Sequence, residues 1–126
     1  MTVSQLISCG AWPSPLTPAL AAVGAVALSF ASAAGGTLYW IEGRPAEKGR
    51  SVWLCRWPNG EVHEVLNALS EPADVRSSVH EYGGSAYAVL GERLAYGECA
   101  DQRVRVKSAA GTNILTPAGC RYADLS

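Results

Sequence analysis

The chain has no C-x-x-C pair, no cluster of Lys and Arg, and no apolar run of membrane-spanning length. Each absence removes a class of function. Its four cysteines, Cys9, Cys55, Cys99 and Cys120, stand far apart, and no histidine pair accompanies them. Zinc sites draw their ligands from short spacings, so neither a metal nor another cofactor is expected. Ten Lys and Arg against eleven Asp and Glu are scattered singly, for a net charge of -1. Without a basic stripe there is no surface for nucleic acid or an anionic membrane. The apolar run from Leu20 to Phe30 falls short of the roughly 20 residues a membrane span needs. It is followed by Ala31, Ser32 and Ala33, which imitate an export-signal cleavage site. No Lys or Arg precedes it, however, and Trp12, Pro13 and Pro15 occupy the place of a charged leader. The chain therefore reads as cytoplasmic, with reduced thiols. A small secreted β-sandwich with disulfides is the alternative that the even cysteine count leaves open.

What is present is mostly β grammar. Trp12 to Pro15 is extended or turned, because residues before proline avoid the helical region. Thr17 as N-cap, Pro18 at the first helical position and Gly24 as a stop predict one short helix over Pro18 to Val23. From Ala25 onward strands are expected. Thr37 to Glu42 alternates and is rich in β-branched and aromatic residues. Arg50 to Trp57 and Glu61 to Leu66 form a hairpin across Pro58, Asn59 and Gly60. Ser70 to Ser78 is a polar connection. Ser85 to Leu90 pairs with Arg93 to Glu98 across Gly91 and Glu92, and Arg103 to Lys107 pairs with Thr112 to Leu115 across Ala109 to Gly111.

The second half repeats the first at an offset a little over fifty residues. Arg50-Ser51-Val52 and Arg103 to Val106 occupy equivalent places, as do the two glycine turns. Four short antiparallel strands recurring at about 40–50 residues mark propeller blades, with a two-sheet sandwich as the structural alternative. The expected fold is all-β: an incomplete β-propeller of about two four-stranded antiparallel blades, preceded by one short N-terminal helix. The divisions are 1–24 for the extended segment and helix, 25–78 for the first blade, 79–119 for the second, and 120–126 for the start of a third. Closed propellers need roughly four to eight blades. The chain thus reads as part of something larger, with an open strand edge through which it could self-associate.

Four segments in order carry a resemblance: Trp12 to Thr17, Tyr39 to Pro45 with Gly49-Arg50, Val79 to Tyr87, and Arg121 to Asp124. Together they resemble the N-terminal propeller region of prolyl oligopeptidase family serine peptidases, in the acylaminoacyl-peptidase or dipeptidyl-aminopeptidase-like branch. Members there run through W-x-S-P-I-T, Y-W-x-E-x-R-P, R-V-H-E-Y-G-G-G-x-Y and R-Y-A-D segments. Here Ser78 stands where arginine is frequent and Ser85 replaces the third glycine.

The resemblance implies a propeller that gates substrate access to a C-terminal α/β-hydrolase domain carrying a serine, histidine and aspartate. That domain is the implied partner and short peptides are the implied substrates. The nucleophile of such enzymes lies in G-x-S-x-G. No such motif occurs in these 126 residues, so no catalytic residue is assigned and the chain alone is expected to be inactive. A stand-alone propeller-like binding or scaffold module is the alternative reading.

Glu81, His80 and Tyr82 are the candidate substrate-gating or interface residues. Glu81 could hold a peptide's free amino end; the blander role is an arginine pair that fixes the loop between blades. His80 could sense pH at an interface, or simply serve as a hydrogen-bonding spacer. Tyr82 could line a tunnel or bury its ring. Trp40, Trp53 and Trp57 read as core and inter-blade packing rather than a stacking face, with Trp53 and Trp57 sharing strand parity with Cys55. His63 reads as surface, and Glu47 as a local partner of Arg44 and Arg50.

Overall fold

The structure, a computed structural model, describes residues 15–17, 20, 24–67, 69, 71–81 and 83–126. These residues form eight strands: β1 (Ala27–Ala34), β2 (Thr37–Arg44), β3 (Arg50–Arg56), β4 (Val62–Glu64), β5 (Tyr87–Leu90), β6 (Arg93–Gly97), β7 (Val104–Ser108) and β8 (Gly111–Ile114). They form two four-stranded sheets, each in simple sequence order, β1-β2-β3-β4 and β5-β6-β7-β8, and every pairing is antiparallel. No strand leaves its sheet for the other. That plain meander is the blade pattern and not the Greek-key exchange of an immunoglobulin-type sandwich.

The hairpins fall where the turn residues place them. Gly35 and Gly36, at φ of 56° and 78°, make the β1–β2 turn, and Gly60 at 91° closes β3–β4. The expected helix lies outside the described residues apart from Leu20, whose backbone N–H donates to Thr17 Oγ1 at 3.1 Å, as an N-cap should. The stretch that imitated an export signal is in fact β1 from Ala27 on, paired with β2. Among the described residues no helix is long and apolar enough to cross a membrane.

Alternation along the strands builds the core between the two sheets. Tyr39 and Ile41 of β2 and Trp53 and Cys55 of β3 face Tyr87 and Val89 of β5 and Leu94 and Tyr96 of β6. The Trp53 ring is 1% exposed and lies 4.6 Å from Tyr87, 6.1 Å from Tyr39 and 6.4 Å from Tyr96, all tilted. Burial here pushes the Tyr87, Tyr96 and Cys55 pKa values upward. On the far side of the second sheet, Ala88, Ala95, Val104 and Val106 are covered by Tyr122 and Leu125. The far side of the first sheet is more open, with Leu28, Phe30, Leu38, Trp40 and Arg56 around an apolar hollow of about 450 Å³.

Two aromatic expectations need correction. β3 ends at Arg56, so Trp57 has left the strand and joins the turn, where its N–H bonds to Glu61 O at 3.0 Å. It keeps the face of Cys55, whose thiol its side chain contacts, but it lies 45% exposed at the edge of the core with its ring 4.1 Å from His63. His63 is correspondingly half-buried. Arg44 and Arg50 do bracket Glu47, at 3.2 and 2.6 Å, but Arg44 also binds Glu42 and Glu64, each at 2.7 Å. The Glu42 hydrogen bond is the main reason that the Arg44 pKa is raised.

Asp74 couples the sheets at the loop end. Its Oδ1 accepts from Ser51 N at 2.9 Å, its own N–H donates to Glu98 Oε1 at 3.2 Å, and its carbonyl accepts from Cys99 N at 2.8 Å. Burial is the main cause that raises the Glu98 pKa, opposed by the bond from Asp74. A raised carboxyl pKa means that the folded state favours the proton, so this contribution to stability is full below the unfolded value and lost as pH rises through the folded one.

Two outcomes are expected from denaturant unfolding. Trp53→Ala costs about 3–5 kcal/mol, whereas Tyr87→Phe, which keeps the ring, costs about 1 kcal/mol. Glu98→Gln flattens the fall in stability between the ordinary carboxylate pKa and neutral pH, read from urea midpoints across that range.

Candidate functional site

The connection from the first sheet to the second is a polar segment that cannot form a strand, because Pro72, several serines and a double glycine interrupt any alternation. It must nevertheless cross from the outer strand β4 to the first strand of the next sheet, β5. Its backbone groups are therefore met by side chains and by the chain's last residues. Val75 pairs with Glu98 in an isolated bridge. Ser77, 6% exposed, donates from Oγ to Tyr122 O at 2.6 Å and accepts from Val79 N at 3.2 Å. Ser78 N donates to Gln102 Oε1 at 2.8 Å, and Arg121 donates to Ser78 O at 3.0 Å. Ser85 N donates to Asp124 Oδ1 at 3.2 Å, and Leu125 N returns a bond to Ser85 O at 3.1 Å.

Between these anchors lies a tight 3-10 turn, Val79–Glu81, closed by Gly83 N to Val79 O at 3.0 Å. His80 sits at its centre with φ 49° and ψ 21°, a left-handed conformation that histidine tolerates better than bulkier branched residues. Its side chain is exposed. The backbone of Glu81 completes the turn, while its side chain, like the whole of Tyr82, lies outside what the structure describes. Of the three candidates, His80 and Glu81 are thus brought together by the turn. The double glycine has a specific reason at Gly84: at φ 156°, an added Cβ would meet Asp124 Oδ1 at 2.7 Å and Ala123 Cβ at 2.9 Å.

Beside this junction the first strands of the two sheets leave an open cleft of about 430 Å³. Phe30 to Ala34 of β1 line one side, and Ser85, Tyr87 to Val89 and Leu125 the other. Small residues on β1 keep it wide. A register shift between Ser29 and Ser32 marks a bulge, at which Phe30 takes φ 52°. The bulge presents the Phe30 carbonyl to the Tyr87 hydroxyl, and Ser32 Oγ lies 2.9 Å from the same hydroxyl. Tyr87 therefore fixes both the inter-sheet core and the cleft wall.

The alternating reading of Thr37 onward did not locate this bulge, and the four quoted motifs did not show that two of them touch. The signal for the second was available: Ala73-Asp74-Val75 and Ala123-Asp124-Leu125 are near copies. Among the described residues no group of three or more His, Cys, Asp or Glu is arranged to hold a metal ion, and Cys55, Cys99 and Cys120 are free thiols.

No family model and no curated protein matches the sequence. Solved structures that resemble the chain include two hydrolases. A puromycin hydrolase is 30% identical over 90% of this chain, with a TM-score of 0.70. A Mycobacterium tuberculosis puromycin-hydrolyzing peptidase is 35% identical over 89%, with a TM-score of 0.73. This chain spans only 19% and 18% of those two proteins. Meander sheets, the order of the four motifs and both likenesses agree, and the chain is similar to the N-terminal propeller region of prolyl oligopeptidase family peptidases.

Proposed function

We propose that this chain is the access-controlling propeller part of a peptide hydrolase, screening short peptides on their way to an α/β-hydrolase domain that supplies the serine nucleophile. The observation that carries the reading is the cleft between β1 and β5, about 430 Å³, open and walled on the β1 side mostly by small residues. A slot of that size admits a short extended chain and excludes folded protein. The two similar structures are both described as hydrolysing puromycin, in which an amino acid with a free amino group is joined through an amide. A carboxylate at Glu81, on the turn a few residues before the cleft residue Ser85, suits the recognition of such an amine. Free thiols at Cys55, Cys99 and Cys120 support a cytoplasmic setting.

The open far face of the first sheet, with Leu28, Leu38 and Trp40, suits packing by further blades. Left uncovered in the isolated chain, it favours self-association. Size-exclusion elution that stays monomeric across a hundredfold range of concentration would count against this.

Activity gives the main test. The purified 126-residue chain is expected to hydrolyse neither puromycin nor peptidyl p-nitroanilides; hydrolysis sensitive to a serine-directed inhibitor rejects the reading. In the complete enzyme, Ala33→Trp narrows the cleft and lowers kcat/KM several-fold for a pentapeptide while sparing a dipeptide substrate. In the same enzyme, Glu81→Gln raises KM for substrates with a free amino end and leaves N-acetylated ones unchanged. Equal effects within each pair of substrates would remove the cleft and Glu81, respectively, from the gating role.

A further inference from the structure

The chain carries the same small device twice. In Ala73-Asp74-Val75 the aspartate Oδ1 accepts from Ser51 N at 2.9 Å, and the next residue, Val75, donates its N–H to Ser51 O at 2.8 Å. In Ala123-Asp124-Leu125 the aspartate Oδ1 accepts from Ser85 N at 3.2 Å, and Leu125 donates to Ser85 O at 3.1 Å. Each is a clip: one carboxylate and one amide grip both backbone groups of a serine. A carboxylate acceptor makes the first of these bonds stronger than a neutral pair would be.

The two clips sit at the two ends of one loop. Asp74 fixes its entry to β3 and, through Glu98 and Cys99, to the second sheet. Asp124 fixes its exit at Ser85, just before β5. Between them lies the turn that carries His80 and Glu81, and the segment bearing Asp124 also reaches its middle, through Tyr122 O to Ser77 and Arg121 to Ser78. Ser85 and Leu125 line the cleft as well, so the second clip shapes its wall. Asp124 pays in backbone conformation, at φ 54°, and its carboxylate fills the space that glycine leaves at position 84.

We propose that Asp124 is a positioning residue: through Ser85 it sets the turn carrying His80 and Glu81, and with it one wall of the peptide cleft. This rests on the reading that the turn faces substrate. Asp124 takes no part in either sheet or in the Trp53 core, so loosening its clip frees the turn without unfolding the blades. The linkage also runs outward. Whatever pulls on residues 121–125 shifts the turn, so the position of this segment becomes a control on substrate access.

The test uses the 126-residue chain and residue-resolved amide exchange. In Asp124→Ala, exchange at Val79, Ser85 and Leu125 is expected to accelerate about tenfold, the effect of losing one hydrogen bond to a charged group. Asp124→Asn keeps an oxygen acceptor and restores most of the protection, which a purely electrostatic effect would not do, whereas Asp124→Leu fills similar space without an acceptor and leaves exchange as fast as in Asp124→Ala. Amides of Ile41, Trp53 and Tyr96 stay as in the wild type. Should Asp124→Ala fail to fold, Ser77→Ala removes the neighbouring bond to Tyr122 O and gives the same local pattern, smaller in size. Unchanged exchange at Ser85, or equal acceleration across both sheets, overturns the proposal. Addition of trialanine separates it from the function reading: Glu81 signals that do not move reject a substrate-facing turn, while the exchange pattern still decides whether Asp124 positions it.

Discussion

Every other feature of this chain depends on the Trp53 ring being held between Tyr39 of its own sheet and Tyr87 and Tyr96 of the next. A four-stranded sheet with one apolar face is not stable alone in water, and here each sheet covers the other's face. Large aromatic rings suit this contact because they bridge the spacing between sheets with few rotatable bonds. The indole Nε1 finds no partner among the described residues, so the ring stabilises the contact through burial and not through its polar edge.

Tyr87 extends that contact to the cleft. Its ring belongs to the core, whereas its hydroxyl meets the bulged backbone at Phe30 and the hydroxyl of Ser32. The packing that joins the sheets and the shape of the slot between their first strands are thus one constraint. A substitution that moved one would move the other. The loop from Val75 to Ser85 is the complementary case. It has little apolar surface to bury and is held by a chain of side-chain-to-backbone bonds, which ties its geometry to Asp74, Gln102 and residues 121–125. Rigid sheets and a loop pinned at a few points combine a fixed frame with one element that can be released.

Much of this was legible beforehand because the relevant signals are local. Alternation, glycine turns and the fifty-residue repeat placed seven of the eight strands to within two residues, and parity put Trp53 and Cys55 on one face. β1 was harder: Ala27 to Ala34 is made of small residues that look alike as a signal segment and as a strand. Trp57 keeps the predicted face beside Cys55 but is not core, because the Pro58 turn ends the strand before it and leaves the ring 45% exposed. Of the candidate site, the sequence supplied the residue cluster and its position between blades.

The amino-acid order alone determined the all-β class, the two meander sheets and the peptidase family likeness, since each follows from patterns a few residues long or from motif order. Only the tertiary structure decided that the Val79 to Gly84 and Arg121 to Asp124 motifs grip one another, that Gly84 makes room for the Asp124 carboxylate, and that Tyr87 anchors the Phe30 bulge. These contacts join residues about forty to sixty positions apart. No local periodicity encodes them, because they come into being only when the two sheets pack.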